Sequence, residues 1–184
     1  MKKIIIKHKN YKYIRSKILQ SRENQYKKIL KYLKGEKENT EFIIISISLN
    51  IKGFPKYHFS FLESLKYIIN FFESYFGHNN IISYKTITGI SGEFLLIKIK
   101  AEPMVTKYIT YNLEKKFRFL DIDIYTKNSM ISSSLICLKK KRCIICNDEY
   151  DICQYKKRHT VRQLRKKVNQ SIKDFLLNFN KKFS

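Results

Sequence analysis

Apolar residues recur along this chain in two rhythms, every second residue and every third or fourth, and each rhythm predicts an element. Residues 42–49, FIIISISL, read as a strand. Ile43, Ile45, Ile47 and Leu49 share one face; the other runs Phe42, Ile44, Ser46, Ser48 and Asn50 and turns polar at its end. After a loop with Gly53, Pro55, Lys56 and His58, residues 60–76 read as a helix. Phe61, Leu62, Leu65, Ile68, Ile69, Phe72 and Phe76 stand at helical spacing there, and Gly77 stops it. Residues 81–88 and 94–100 form two strands around Gly89-Ile90-Ser91-Gly92, a hairpin signal. Pro103 opens the next helix, whose expected buried stripe is Met104, Val105, Tyr108, Ile109 and Leu113. Residues 117–125, FRFLDIDIY, return to strand character, interrupted by two aspartates. Upstream, Ser21 is expected to cap a helix with the stripe Tyr26, Ile29, Leu30 and Leu33 and a stop at Gly35. The first twenty residues give no firm element.

The order strand, helix, strand, strand, helix, strand is that of a ferredoxin-like βαββαβ unit, an α+β class. It predicts an antiparallel sheet with its helices on one face and the aspartates on the opposite, open face. Ser46, Ser48 and Asn50 would share that open face. A last helix is expected from Thr160, with Gln163 completing a capping box. Its stripe is Val161, Leu164, Val168, Ile172, Phe175, Leu176 and Phe179. The expected organisation is a core over residues 1–128 and a Cys/His-rich appendage over 129–184, whose helix packs on the core to give one structural domain.

Composition narrows the partners. The chain has 184 residues, 43% of them apolar, with 13 Phe and 13 Tyr, which excludes a disordered polymer. Its formal charge is +23, from 38 Lys+Arg against 15 Asp+Glu, so a polyanionic or phosphorylated partner is expected. A/T-rich coding would supply many of the lysines by itself, so the charge favours phosphates without selecting nucleic acid. The apolar runs fall far short of the roughly 20 residues a membrane span needs. The opening MKKIII is cut off by Lys7 and His8, too early for an export signal. A cytoplasmic protein with reduced cysteines is expected.

Two constellations carry chemistry. In a strand, residues two apart point the same way, about 6.5–7 Å apart. Asp121 and Asp123 therefore stand side by side while Leu120, Ile122 and Ile124 face a core. Such a pair can share Mg²⁺, the ion that positions phosphates in phosphoryl transfer. The plainer reading is an edge strand kept polar against aggregation. The second constellation is Cys143-x2-Cys146-x6-Cys153-x5-His159, a spacing suited to a structural Zn²⁺; an unmetallated cluster or redox chemistry are the alternatives. Cys137 falls outside it and is expected in the core. Basic runs at 139–142, 156–158 and 165–167 flank the cluster, and a zinc knuckle beside Lys156, Lys157 and Arg158 would also suit RNA. His58 is a candidate general base, although a lone loop histidine usually has no such role.

With these residues in place, the chain resembles the apo-citrate lyase phosphoribosyl-dephospho-CoA transferases, also called citrate lyase holo-acyl-carrier-protein synthases, of the CitX type. Five stretches carry the resemblance: Ser21-Arg22-Glu23 with Gln25; residues 46–56 ending in Gly53-Phe54-Pro55-Lys56; Thr88-Gly89 with Ser91-Gly92; Leu113-Glu114 followed by Arg118-Phe119-Leu120-Asp121-Ile122-Asp123; and Arg142-Cys143-Ile144-Ile145-Cys146 with Cys153 and His159. Three places depart from the family pattern. Lys115-Lys116-Phe117 lacks a His-Pro-Leu-Gly insertion, Ser133 and Ser134 stand where an arginine follows a serine, and Tyr155 replaces an arginine.

The resemblance implies transfer of a phosphoribosyl-dephospho-CoA group from 2'-(5''-triphosphoribosyl)-3'-dephospho-CoA to a serine of the citrate lyase acyl carrier protein (the gamma subunit), with pyrophosphate leaving. On that reading Asp121 and Asp123 hold Mg²⁺ and Arg118 clamps phosphate through its planar fork. Arg118 would need a bulge, or the strand's start, to turn it to the aspartate side. Arg22, Lys56, Gly89, Ser91 and Arg142 bind substrate, Cys143, Cys146, Cys153 and His159 hold Zn²⁺, and the basic surface docks the acidic carrier. No membrane is involved. The alternatives are a basic nucleic-acid-binding protein with a zinc knuckle, and a family member that has lost catalysis.

Overall fold

The computed structural model describes residues 8–34, 42–56 and 58–183. Ten helices and strands follow in order: α1 (His8–Lys34), β1 (Ile43–Leu49), α2 (Phe59–Phe76), β2 (Ile81–Gly89), β3 (Gly92–Ile99), α3 (Pro103–Lys116), β4 (Leu120–Tyr125), β5 (Met130–Ile131), α4 (Tyr150–Tyr155) and α5 (Val161–Phe183). The five strands form one sheet in the order β2-β3-β1-β4-β5, every neighbour antiparallel. The expected stop at Gly35, the residues before His8 and the side chain of Phe179 lie outside what is described.

β1 is the middle strand, and its sequence shows why. Ile43, Ile45, Ile47 and Leu49 pack with Phe61, Leu65, Ile68 and Phe72 of α2 and with Val168, Ile172 and Phe175 of α5. Phe42 and Ile44 point to the opposite face, where Ile29 and Leu33 of α1 cover them. Each of these side chains contributes about 1.5–3 kcal/mol by leaving water.

Two features change the expected plan. β5 adds a fifth strand beside β4, and α1 covers part of the face expected to be open. The sheet is therefore not the plain ferredoxin-like arrangement with helices on one side. Nor does Ser21 cap a helix: α1 runs through it from His8. The Ser21 hydroxyl meets Ser91 Oγ at 2.9 Å, so it serves a tertiary contact that the local pattern cannot reveal.

α3 also differs. Its buried residues are Thr106, Lys107, Ile109, Thr110, Leu113 and Glu114, while Met104, Val105 and Tyr108 of the expected stripe are exposed. The cause lies in β4. Ile122 has no β5 partner, because the β4–β5 ladder spans only Ile124 and Tyr125. Its amide instead donates to Glu114 Oε1 at 2.8 Å, and its carbonyl accepts from Lys107 Nζ at 3.1 Å. α3 thus completes an unfinished strand edge, which calls for polar side chains where an apolar stripe was expected.

The turns follow local chemistry. Gly92 has φ +111°, and a Cβ there would lie 2.5 Å from the Lys56 carbonyl oxygen, so glycine alone lets the Lys56 loop meet the hairpin. The capping box forms as expected: Thr160 N donates to Gln163 Oε1 at 2.8 Å and Gln163 N to Thr160 Oγ1 at 3.2 Å. Along α5, Val168, Ile172 and Phe175 are buried, whereas Val161 at the start is exposed. Cys137 is exposed, a correction to its expected place in the core: its backbone is left-handed just after a short 3-10 turn at the surface. No helix among the described residues is long and apolar enough to cross a membrane.

Candidate functional site

The register of the sheet assembles the site floor. Ser48 stands opposite Asp121 and Ser46 opposite Asp123 across the β1–β4 ladder, and directly opposed residues have Cβ atoms about 4.5–5.5 Å apart. Leu120, Ile122 and Ile124 are buried in the core on the other side. This floor and Asn50 open into a cavity of about 320 Å³. Arg22, Gln25, Tyr26 and Ile29 of α1 form its roof, Lys52 and Lys56 come from the loop after β1, and Ser91 from the hairpin. α1 thus converts an open sheet face into a concavity.

Charge in the cavity is divided. Burial, with Arg22 and Lys52 nearby, holds Lys56 down to about 8. Its ammonium donates to the Ile51 carbonyl. Burial first, and then the neighbouring Asp121, push the Asp123 carboxyl above the usual range. Asp123 makes no hydrogen bond or ion pair with another side chain among the described residues. Burial and Asp123 also raise the Tyr125 phenol. Asp121 does have a partner: Lys141 Nζ lies 2.5 Å from Asp121 Oδ1 and 2.6 Å from Glu114 Oε1. The same Glu114 oxygen holds the Ile122 amide, so the strand carrying the aspartates is fixed from behind by α3 and Lys141. Arg165 Nη1 steadies the loop bearing the two lysines, donating to Pro55 O at 2.8 Å and Lys52 O at 3.2 Å.

Of the residues expected to bind substrate or metal here, Asp121, Asp123, Arg22, Lys56 and Ser91 line this one cavity. Gly89 does not line this cavity; it lines another, with Ser21 and Gln25, and an added Cβ there would come within 3.3 Å of Ser21 Oγ. Arg118 and Arg142 are elsewhere. Both line a second cavity beside the first, and Arg118 Nη1 donates to Cys143 O at 2.9 Å. Arg118 precedes β4, so no strand register turns it towards the aspartates. His58 does not line the aspartate cavity; it caps α2, its Nδ1 accepting from Ser60 N at 3.3 Å. The sequence assigns no site role to Glu114, Lys107 or Lys141, although Glu114 falls in a stretch shared with the family and Lys141 in a basic run. Glu114 and Lys107 lay off the apolar stripe, and Lys141 was hidden in a basic run whose path only the fold reveals.

Cys143, Cys146, Cys153 and His159 converge, their ligand atoms all within 4.8 Å of one another. Cys146 Sγ and Cys153 Sγ are 3.7 Å apart; a tetrahedron with arms of about 2.3 Å has edges of about 3.8 Å. His159 Nε2 is buried without a hydrogen-bond partner, and Ile145 N donates to Cys143 Sγ at 3.4 Å. A histidine with an unsatisfied buried ring nitrogen, clustered with three sulfurs, fits a zinc ion.

Taken together, the antiparallel sheet carries paired carboxylates in one cavity with three basic side chains, beside a Cys3His cluster. A family model described as apo-citrate lyase phosphoribosyl-dephospho-CoA transferase (CitX) matches residues 14–175. The chain belongs to this family. It is also 22% identical over 173 residues to a protein of Streptococcus pyogenes serotype M18 (strain MGAS8232) described as a probable apo-citrate lyase phosphoribosyl-dephospho-CoA transferase. That match covers 90% of this chain and 87% of the streptococcal protein.

Proposed function

We propose that this protein transfers the phosphoribosyl-dephospho-CoA group from 2'-(5''-triphosphoribosyl)-3'-dephospho-CoA to a serine hydroxyl of the citrate lyase acyl carrier protein, releasing pyrophosphate. The observation that carries the reading is the convergence of Asp121 and Asp123 with Arg22, Lys52 and Lys56 in one cavity. A carboxylate pair inside a cationic cavity suits a ligand that brings both phosphates and a divalent ion.

Asp121 and Asp123 are the residues that would hold Mg²⁺. Asp123, half-buried, unpaired among the described residues and beside a second carboxylate, has the acceptor capacity a hard cation needs. When bound, the ion would neutralise charge on the triphosphate. Arg22, Lys52 and Lys56 bind phosphate oxygens from the roof and loop. Ser46, Ser48 and Asn50 offer neutral hydrogen-bonding groups at the floor. In the transfer the serine oxygen bonds to the α-phosphorus and loses its proton, while the α–β bridge breaks and pyrophosphate departs. Cys143, Cys146, Cys153 and His159 would hold a structural Zn²⁺ that pins the segment carrying Lys141. The basic surface docks the acidic carrier protein.

The test is incubation of the purified protein with apo-carrier protein, the triphosphoribosyl donor and Mg²⁺. Mass spectrometry should find the prosthetic group on the carrier serine, and Asp123→Asn should slow its appearance about 100-fold. No mass gain with the native protein sinks the activity and leaves a family member without catalysis. An unchanged rate in the variant sinks the role of that carboxylate.

A further inference from the structure

The second cavity holds none of the charged residues that contact the triphosphate or Mg²⁺ in the proposed transfer. Its volume is about 360 Å³, within the range of small-ligand sites. Asn50 lines both cavities, and Lys141 stands between them, holding Asp121 on one side and lining the second cavity on the other. Four cations in its wall, Lys115, Arg118, Lys139 and Arg142, have no carboxylate partner among the described residues. Glu114 is the sole acid there, and it is already committed to Lys141 and the Ile122 amide. The arginines are tethered to backbone: Arg118 Nη1 to Cys143 O at 2.9 Å and Arg142 Nη1 to Asn147 O at 3.2 Å. Each guanidinium is thus oriented with donors to spare.

General basicity does not account for this cluster. Arginine occupies seven positions against 31 for lysine, yet three arginines (Arg22, Arg118 and Arg142) line the two cavities. Like charges held in one concavity repel until an anion enters, and fixed guanidinium forks favour phosphate. A protein partner would need about 800 Å² of surface; a cavity of this size suits a small group.

We infer that this cavity is a second anion subsite, which takes the diphosphate of the donor's dephospho-CoA end while the triphosphate occupies the aspartate cavity. The inference rests on the transferase reading, because that donor carries phosphates at two separated places. Calorimetry tests it with two probes, dephospho-CoA (a diphosphate without the triphosphate) and inorganic triphosphate with Mg²⁺. The exposed pair Lys115→Ala/Lys139→Ala should weaken dephospho-CoA about tenfold and change triphosphate binding less than twofold. Lys66→Ala/Lys100→Ala, which removes two exposed lysines away from both cavities, should alter neither. Equal dephospho-CoA affinity in the Lys115/Lys139 variant and the native protein overturns the subsite, as does absence of native binding at millimolar ligand. Mass gain on the carrier protein reports on the transferase reading separately. Transfer without lysine-dependent dephospho-CoA binding removes the subsite alone, and lysine-dependent binding without transfer removes the reading alone.

Discussion

Replacing Lys141 with methionine keeps the length of the side chain and removes the one cation that joins Glu114 to Asp121. The two contacts are unequal. The Asp121 side chain is 44% exposed, so that leg contributes about 0.5 kcal/mol at most. The Glu114 side chain is 5% exposed. Stripping a buried charge of its partner costs about 3–5 kcal/mol. Here the Ile122 amide still holds the carboxylate and Lys107 remains nearby, so about 2 kcal/mol is the better figure. The expected total is ~2–3 kcal/mol, or a fall in Tm of about 5–10 °C for a chain of this size.

The pH dependence gives this prediction a second edge. Burial pushes the Glu114 carboxyl above its usual range, and Lys141 pulls it part of the way back. An acid with a raised folded pKa is protonated in the fold before it is in the unfolded chain. Its burial therefore costs stability at high pH, and that cost fades as the pH falls towards the unfolded value. Without Lys141 the rise is larger. The gap between native protein and variant should thus be widest near pH 8 and narrow towards pH 5. Lys141 itself is raised by Asp121 and Glu114, so it stays charged in the folded and the unfolded chain across that window, and the change in the gap comes from Glu114. Urea titrations at pH 8 and pH 5 provide the measurement. A gap under about 0.5 kcal/mol at pH 8, or one that does not shrink by pH 5, refutes the assignment of Lys141 as the partner of a buried carboxylate.

Two further outcomes are expected. The protein should carry about one zinc per chain by elemental analysis, and Cys146→Ser should lose it together with several °C of Tm; full zinc content in that variant would rule out the Cys3His set. Because Lys56 is held down to about 8 by burial, Arg22 and Lys52, it loses its charge as the pH rises through that value. Binding of Mg²⁺-triphosphate should therefore weaken between pH 7 and pH 9 by calorimetry, and Lys56→Met should flatten that dependence. The unfolded chain keeps this proton up to about pH 10.5, so the stability contribution of Lys56 rises over the same interval.

Sequence alone determined the elements whose cause is local. Alternation fixed β1 and β4 and placed Asp121 and Asp123 on the face of Ser46, Ser48 and Asn50, because a strand has period two whatever surrounds it. The hairpin glycines, the Thr160 capping box and the Cys3His spacing were legible for the same reason. Tertiary structure decided what depends on residues far apart in the chain. α1 covers the face expected to be open, through contacts such as Ser21 with Ser91 that span seventy positions and leave no local mark. α3 turns Lys107 and Glu114 inward because β4 has an unfinished edge, a need that belongs to the neighbouring strand and not to the helix's own pattern. Lys141 reaches Asp121 because the Cys3His segment returns to the sheet, and Arg118 turns to Cys143 for the same reason. Periodicity reports which way a side chain points from its own element; only the packed chain decides what it meets there.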